Sequence, residues 1–95
     1  MEKIICAAIH IPDGIVRVHQ SRNIKSGLVI CGLRHHNCFT TLSQIENIQK
    51  HQTIQGFITS HDRFVDRKEG MIIARTAGQV AGINDGDILM SEDLY

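Results

Sequence analysis

Isoleucines and small residues dominate positions 3–11, and Pro12-Asp13-Gly14 follows as a turn signal, so a first strand is predicted there. Apolar and polar residues alternate through Ile15-Val16-Arg17-Val18-His19, which predicts a second, half-exposed strand and an antiparallel hairpin with the first. Positions 20–27 are a polar loop. Leu28-Val29-Ile30-Cys31-Gly32-Leu33 is a continuous apolar run, the pattern of a buried central strand. Cys38, Leu42, Ile45 and Ile48 keep close to one helical face, so a helix is predicted from Cys38 to about Lys50, with Asn37 as its N-cap. Residues 51–53 are a break.

Thr53 to Thr59 is predicted as a strand, with Gln55, Phe57 and Thr59 on one side and Ile54, Gly56 and Ile58 on the other. Ser60-His61-Asp62 forms a tight turn and Arg63-Phe64-Val65 a short strand. Asp66-Arg67-Lys68-Glu69 has the spacing of a capping box, in which Asp66 and Glu69 serve each other's backbone. The helix behind it should run to about Gly78 or Val80, with Met71, Ile72, Ala74 and Ala77 toward the core. Residues 82–86 are a turn, and Ile88-Leu89-Met90 a short final strand. Short links between strands favour an α+β fold with a mostly antiparallel sheet and two helices over a doubly wound parallel sheet.

Ninety-five residues make one domain, 1–95. A domain of this size buries about 60–65% of its unfolded surface, which leaves little volume for a deep private pocket. Aromatic content is 4% with no Trp, which excludes a base-stacking platform of several rings. The apolar run Ile4–Ile9 is too short to span a bilayer, and His10, Pro12 and Asp13 interrupt any signal-peptide pattern. Three cysteines, Cys6, Cys31 and Cys38, fit reduced thiols and a cytoplasmic location.

Charge changes the picture. The formal net charge is zero, which argues against a nucleic-acid coat or an anionic-membrane binder. Yet residues 76–95 hold Asp85, Asp87, Glu92 and Asp93 and no Lys or Arg, so a −4 tail balances a +4 body. The densest polar stretch is Gly32-Leu33-Arg34-His35-His36-Asn37-Cys38. Donors at a strand-to-helix junction suit a phosphate, and a solvated turn with an Asn cap explains the same residues. Cys31, His35, His36 and Cys38 could ligate zinc, although their spacing fits no standard pattern and the cysteines suit a small-residue core role. Arg63 and Arg67 sit where the helix dipole disfavours cations, which points them at an anion or at an acidic tail of a neighbouring subunit. Phe64 suits the core better than a stacking role. Glu92 and Asp93 could accept from sugar hydroxyls or simply solubilise the terminus. No P-loop, dinucleotide fingerprint, nucleophile elbow or HExxH motif is present. Adjacent His35 and His36 could supply acid and base, but neighbouring side chains rarely converge on one substrate.

Gly32–Cys38, Gly56-Phe57-Ile58-Thr59-Ser60, Arg63–Glu69, Ala77-Gly78-Gln79 and the terminal Ser91–Tyr95 occur in this order. Together they resemble the first Thoeris anti-defence family, phage proteins that sequester bacterial immune signals. The resemblance covers about residues 28–95. It implies a decorated WYL-like domain, a small curved antiparallel sheet of SH3-like barrel character with two helices. It also implies binding of glyco-cyclic ADP-ribose, and in some members cyclic oligonucleotides, without cleavage, in the cytoplasm of an infected bacterium. It further implies subunits that pair and build hexamers with ligand sites at interfaces, and no cofactor or metal is expected. For such a ligand Arg34, His35 and Arg63 or Arg67 could supply phosphate donors, with His36 beside them as a further candidate ligand residue, Phe64 or Tyr95 could wall the adenine, and Asn37, Glu92 or Asp93 could accept from ribose. The chain departs from the family at Asn37, where an acid is common, and at Leu33, where a base is common. Two other classes stay open: an enzyme degrading cyclic nucleotides, and an interaction module that blocks a host enzyme.

Overall fold

The computed structural model describes residues 1–18, 20–45, 53–80 and 88–94. The first strand, β1 (Ile4–Ile11), is followed by β2 (Leu28–Gly32), α1 (His35–Ser43), β3 (Ile54–Thr59), β4 (Phe64–Asp66) and α2 (Arg67–Thr76). A single 3-10 turn, Ser91–Asp93, comes last. The strands form one open antiparallel sheet in the order β2-β1-β3-β4. Among the described residues the fold is α+β, an antiparallel sheet with two helices.

The core lies on one face of the sheet. Ala7, Ile9 and Ile11 of β1, Ile30 of β2, Phe57 of β3 and Val65 of β4 point into it. Cys38 and Leu42 of α1 and Met71 and Ala74 of α2 close it from the helical side. Leu89 fills the same core, and its N–H donates to the Arg67 carbonyl at 3.0 Å. Asp66 caps α2 as its sequence predicts, accepting from the Glu69 N–H at 2.8 Å.

Several local expectations give way to tertiary pairing. Residues 12–17 form no strand, and Ile15, Val16 and Val18 are 54%, 77% and 79% exposed. The edge of β1 that a hairpin would use is taken by β2, with Ile11 opposite Leu28. Asp13 instead folds this arm on itself, accepting from the Ile15 N–H at 3.0 Å and from the Arg17 guanidinium at 2.7 and 3.0 Å. Strand β2 is an edge strand, and β1 and β3 are central. Helix α1 starts three residues before the expected position, with Arg34 rather than Asn37 at its N-cap. In α2, Ile72 faces solvent at 62% exposure while Gly70 turns inward. That helix ends at Thr76, and Gly78 at φ 71° terminates it. Residues 88–90 are not a strand, although Leu89 is core. The expected end of the first helix beyond Ile45 and the turn at 82–86 lie outside the described residues.

Candidate functional site

The strand-to-helix junction is built by close packing. A Cβ on Gly32 would stand 2.9 Å from the Asn37 Cβ and 3.3 Å from the Cys38 nitrogen, so the absence of a side chain lets the first turn of α1 fold onto β2. Arg34 is extended (φ −129°, ψ 162°), and its N–H donates to Asn37 Oδ1 at 3.1 Å. Asn37 therefore serves the helix start from inside the first turn. His36 and Asn37 are exposed, Arg34 is half-exposed, and the turn holds no acidic residue. Negative charge is favoured at such a terminus.

His35 does not belong to that exposed set. It is buried, and its Nε2 lies 2.8 Å from the Gly56 carbonyl oxygen, which can only accept, so Nε2 carries the proton. Its ring meets Phe57 edge-on at 5.0 Å. This histidine joins α1 to β3 and is removed from a pair of adjacent acid/base imidazoles.

Arg63 has found its anions within the chain. Its Nε and Nη2 donate to the two Glu2 carboxylate oxygens at 2.8 and 2.9 Å, and Nη2 also reaches Glu69 at 3.2 Å. Glu69, expected to reach back to Asp66, is thus drawn to Arg63. The Thr59 hydroxyl donates to Glu2 at 2.6 Å, and this guanidinium and hydroxyl together hold the Glu2 carboxyl down at about 2. A folded-state value below the unfolded one near 4.5 contributes stability above pH 4.5 and loses it as pH falls toward 2. Acid titration of Glu2→Gln, followed by circular dichroism, should therefore show a shallower loss of stability between those limits than the parent chain shows.

Arg67 Nη2 donates to Gln55 Oε1, beside the Gly56 that His35 holds. Among the described residues, Arg67 Nε is a buried side-chain nitrogen without a hydrogen-bond partner. Phe64 is 8% exposed and packs against the His10 ring at 5.7 Å, so it offers no open face to a base. Asp93 accepts from the Met90 N–H at 2.8 Å and organises the 3-10 turn. The Glu92 side chain, Asp85, Asp87 and Tyr95 lie outside the described residues.

The zinc set does not assemble. Cys38 is buried, with its Sγ 3.6 Å from the Arg34 carbonyl; His35 is held by Gly56; Cys31, expected in the core, is exposed. No group of three or more ligating side chains occurs among the described residues.

One repeated signal in the sequence bears on phosphodiester chemistry. His19-Gln20-Ser21 and His51-Gln52-Thr53 each place an imidazole two positions before a hydroxyl. On a strand that spacing puts both groups on one face. Both histidines lie outside the described residues, but the hydroxyl positions are described. Ser21 shares a surface recess with Ile58, whereas Thr53 precedes the first residue of β3.

Arg34, His36 and Asn37 thus share one exposed turn, while Arg63, Phe64 and Asp93 have structural partners elsewhere. No helix is long and apolar enough to cross a membrane among the described residues. The family model described as phage T4 y16D protein matches residues 3–95. No curated protein and no solved structure is similar enough to match.

Proposed function

From the premise that the chain belongs to the phage T4 y16D protein family, we propose that it binds and sequesters a cyclic nucleotide signal without cleaving it. The acid-free first turn of α1, with Arg34 and the exposed His36 on it, carries this reading. A guanidinium and an imidazole on a helix N-terminus supply charge-assisted donors to a phosphate. Glyco-cyclic ADP-ribose is the ligand that the sequence's resemblance to the first Thoeris anti-defence family favours, with cyclic oligonucleotides as the second class. Leu33, 58% exposed beside Arg34, gives the same turn an apolar neighbour for a base or for a second subunit. The exposed Ile15, Val16 and Val18 favour a homo-oligomer in which a copy supplies the missing wall.

Calorimetry with a panel of cyclic nucleotides tests the proposal, alongside native mass spectrometry for oligomer size. Arg34→Ala should weaken binding by at least about tenfold, the scale of one charge-assisted hydrogen bond, with the native circular-dichroism spectrum retained. If the wild-type protein binds no member of the panel, the proposal is wrong. If heat release after binding returns cleaved products, the enzyme reading replaces sequestration.

A further inference from the structure

The hydrogen-bond pattern of the sheet shows where its edges are closed and where they are open. The Thr59 N–H donates to the Arg63 carbonyl at 2.9 Å, so Thr59 and Phe57 turn toward β4, and Gly56 and Ile58 toward β1. Through the registers, Ala7, Ile9 and Ile11 then bond β2, and Val29 and Cys31 of β2 point their N–H and C=O groups away from β1. Elsewhere the chain closes such positions with its own amide side chains. Asn23 takes both groups of Phe64 on the outer edge of β4, accepting from the N–H at 2.8 Å and donating to the C=O at 2.7 Å. Gln79 does the same for Ile4 of β1, at 2.7 and 2.8 Å, beyond the end of β2. On β2, Gln20 only accepts from the Val29 N–H, at 2.8 Å. The Val29 carbonyl and both backbone groups of Cys31 have no partner among the described residues.

We infer that the outer edge of β2 pairs antiparallel with the same strand of a second copy, across a two-fold axis at Cys31, and so joins two four-stranded sheets into one. The two Cys31 residues exchange N–H···O=C bonds, and Leu33 of each copy lies opposite Val29 of the other, where Gln20 substitutes for a strand in the single chain. The sequence of the edge selects a copy as the occupant. Pairing about that axis sets Leu28–Leu33 against itself, and the stretch has no charged residue, so no like charges meet. Edges that reject copies carry Lys, Pro or inward-pointing charges, and this one carries none of them. Exposed apolar side chains extend the edge at both ends. Leu33 follows it at 58% exposure, and Ile15, at 54%, precedes it, with its carbonyl accepting from the Gly27 N–H at 2.8 Å. Cys31 between them is itself exposed. The inference rests on the homo-oligomer of the proposed function and on none of its ligand chemistry.

Light scattering after size exclusion, with amide exchange followed by NMR, tests this on the full chain. At about 0.1 mM the wild-type protein should have twice the chain mass. Its Cys31 amide should exchange at least about tenfold more slowly than at dilutions that give monomer. Cys31→Pro removes the outward N–H at an edge position where proline is tolerated, and should raise the dimer dissociation constant at least about tenfold. Cys31→Val keeps that N–H and should stay dimeric. A wild-type monomer overturns this inference together with the homo-oligomer reading, whatever calorimetry shows for the ligand. A wild-type dimer whose Cys31 amide exchanges as fast as the monomer's overturns the edge pairing alone. That wild-type measurement decides even if Cys31→Pro fails to fold.

Discussion

Substitution of Gly56 by alanine is expected to destroy the native sheet. Gly56 lies in β3 between Ala8 of β1 and Asp66 of β4, two paired neighbours that cannot both retreat. A Cβ there would collide with the Val65 carbonyl oxygen and approach the Phe64 ring carbon Cζ to 2.8 Å. The first obstacle is backbone, so no rotamer relieves it. Overpacking that side chains can absorb costs about 1–3 kcal/mol. A clash that separates two hydrogen-bonded strands exceeds that range and approaches the whole stability of a small domain, about 5–15 kcal/mol. The loss is compounded because the Gly56 carbonyl is also the acceptor for His35. Equilibrium urea unfolding checks this. Gly56→Ala should show little or no cooperative transition, and a midpoint near that of the parent would mean that β3 and β4 approach less closely than described.

Phe57→Ala should have the second-largest effect. Phe57 is fully buried and sits at the centre of the core face, between the two helices and the sheet. Truncating a buried phenylalanine costs about 3–5 kcal/mol, from lost transfer energy and an unfilled cavity. For a domain of this length about 1 kcal/mol corresponds to 4–8 °C in Tm, so a drop of at least about 12 °C is expected by calorimetry. The cavity would open beside His35, whose ring leans edge-on against Phe57. Phe57→Leu, which keeps most of the volume, should recover much of the lost stability. A Tm within a few degrees of the parent in Phe57→Ala would contradict the packing described.

What could be read in the sequence followed the range of the interaction. Asp66 and Glu69 are three residues apart, so the cap of α2 was visible in the spacing alone, and the alternation through Thr53–Thr59 announced β3 without saying which of its two sides is buried. The apolar run at Leu28–Leu33 also announced a strand. Its place in the sheet did not follow, because a continuous apolar stretch does not record how many neighbours it has. The arm at Ile15–Val18 shows the converse: it alternates like a strand, yet it joins no sheet among the described residues, and its Ile15 carbonyl accepts from the Gly27 N–H.

The candidate site was legible to a similar depth. The cluster from Arg34 to Asn37 was found as a stretch of sequence, but helix geometry divides it, turning His35 to the core and His36 outward. Arg63 looked like an anion ligand because Glu2, its real partner, lies at the far end of the chain. Cys31 looked like a core residue within its apolar run, and only the register of β1 against β2 puts it opposite Ala8 on the other face of the sheet.

Because β1 is central, Ile4 waits for Thr59 and His10 for Ile54, roughly half the chain away. During synthesis the first strand leaves the ribosome with both hydrogen-bonding edges open and its apolar residues uncovered. Its pairing with β2 can form early, since the intervening loop is short. Closing the other edge brings together distant residues and carries the larger loop entropy. Until that happens the nascent sheet presents a template to any passing strand. The interval is set by translation speed, so a pause before Ile54 would prolong the stage at which this chain is most exposed to misassembly.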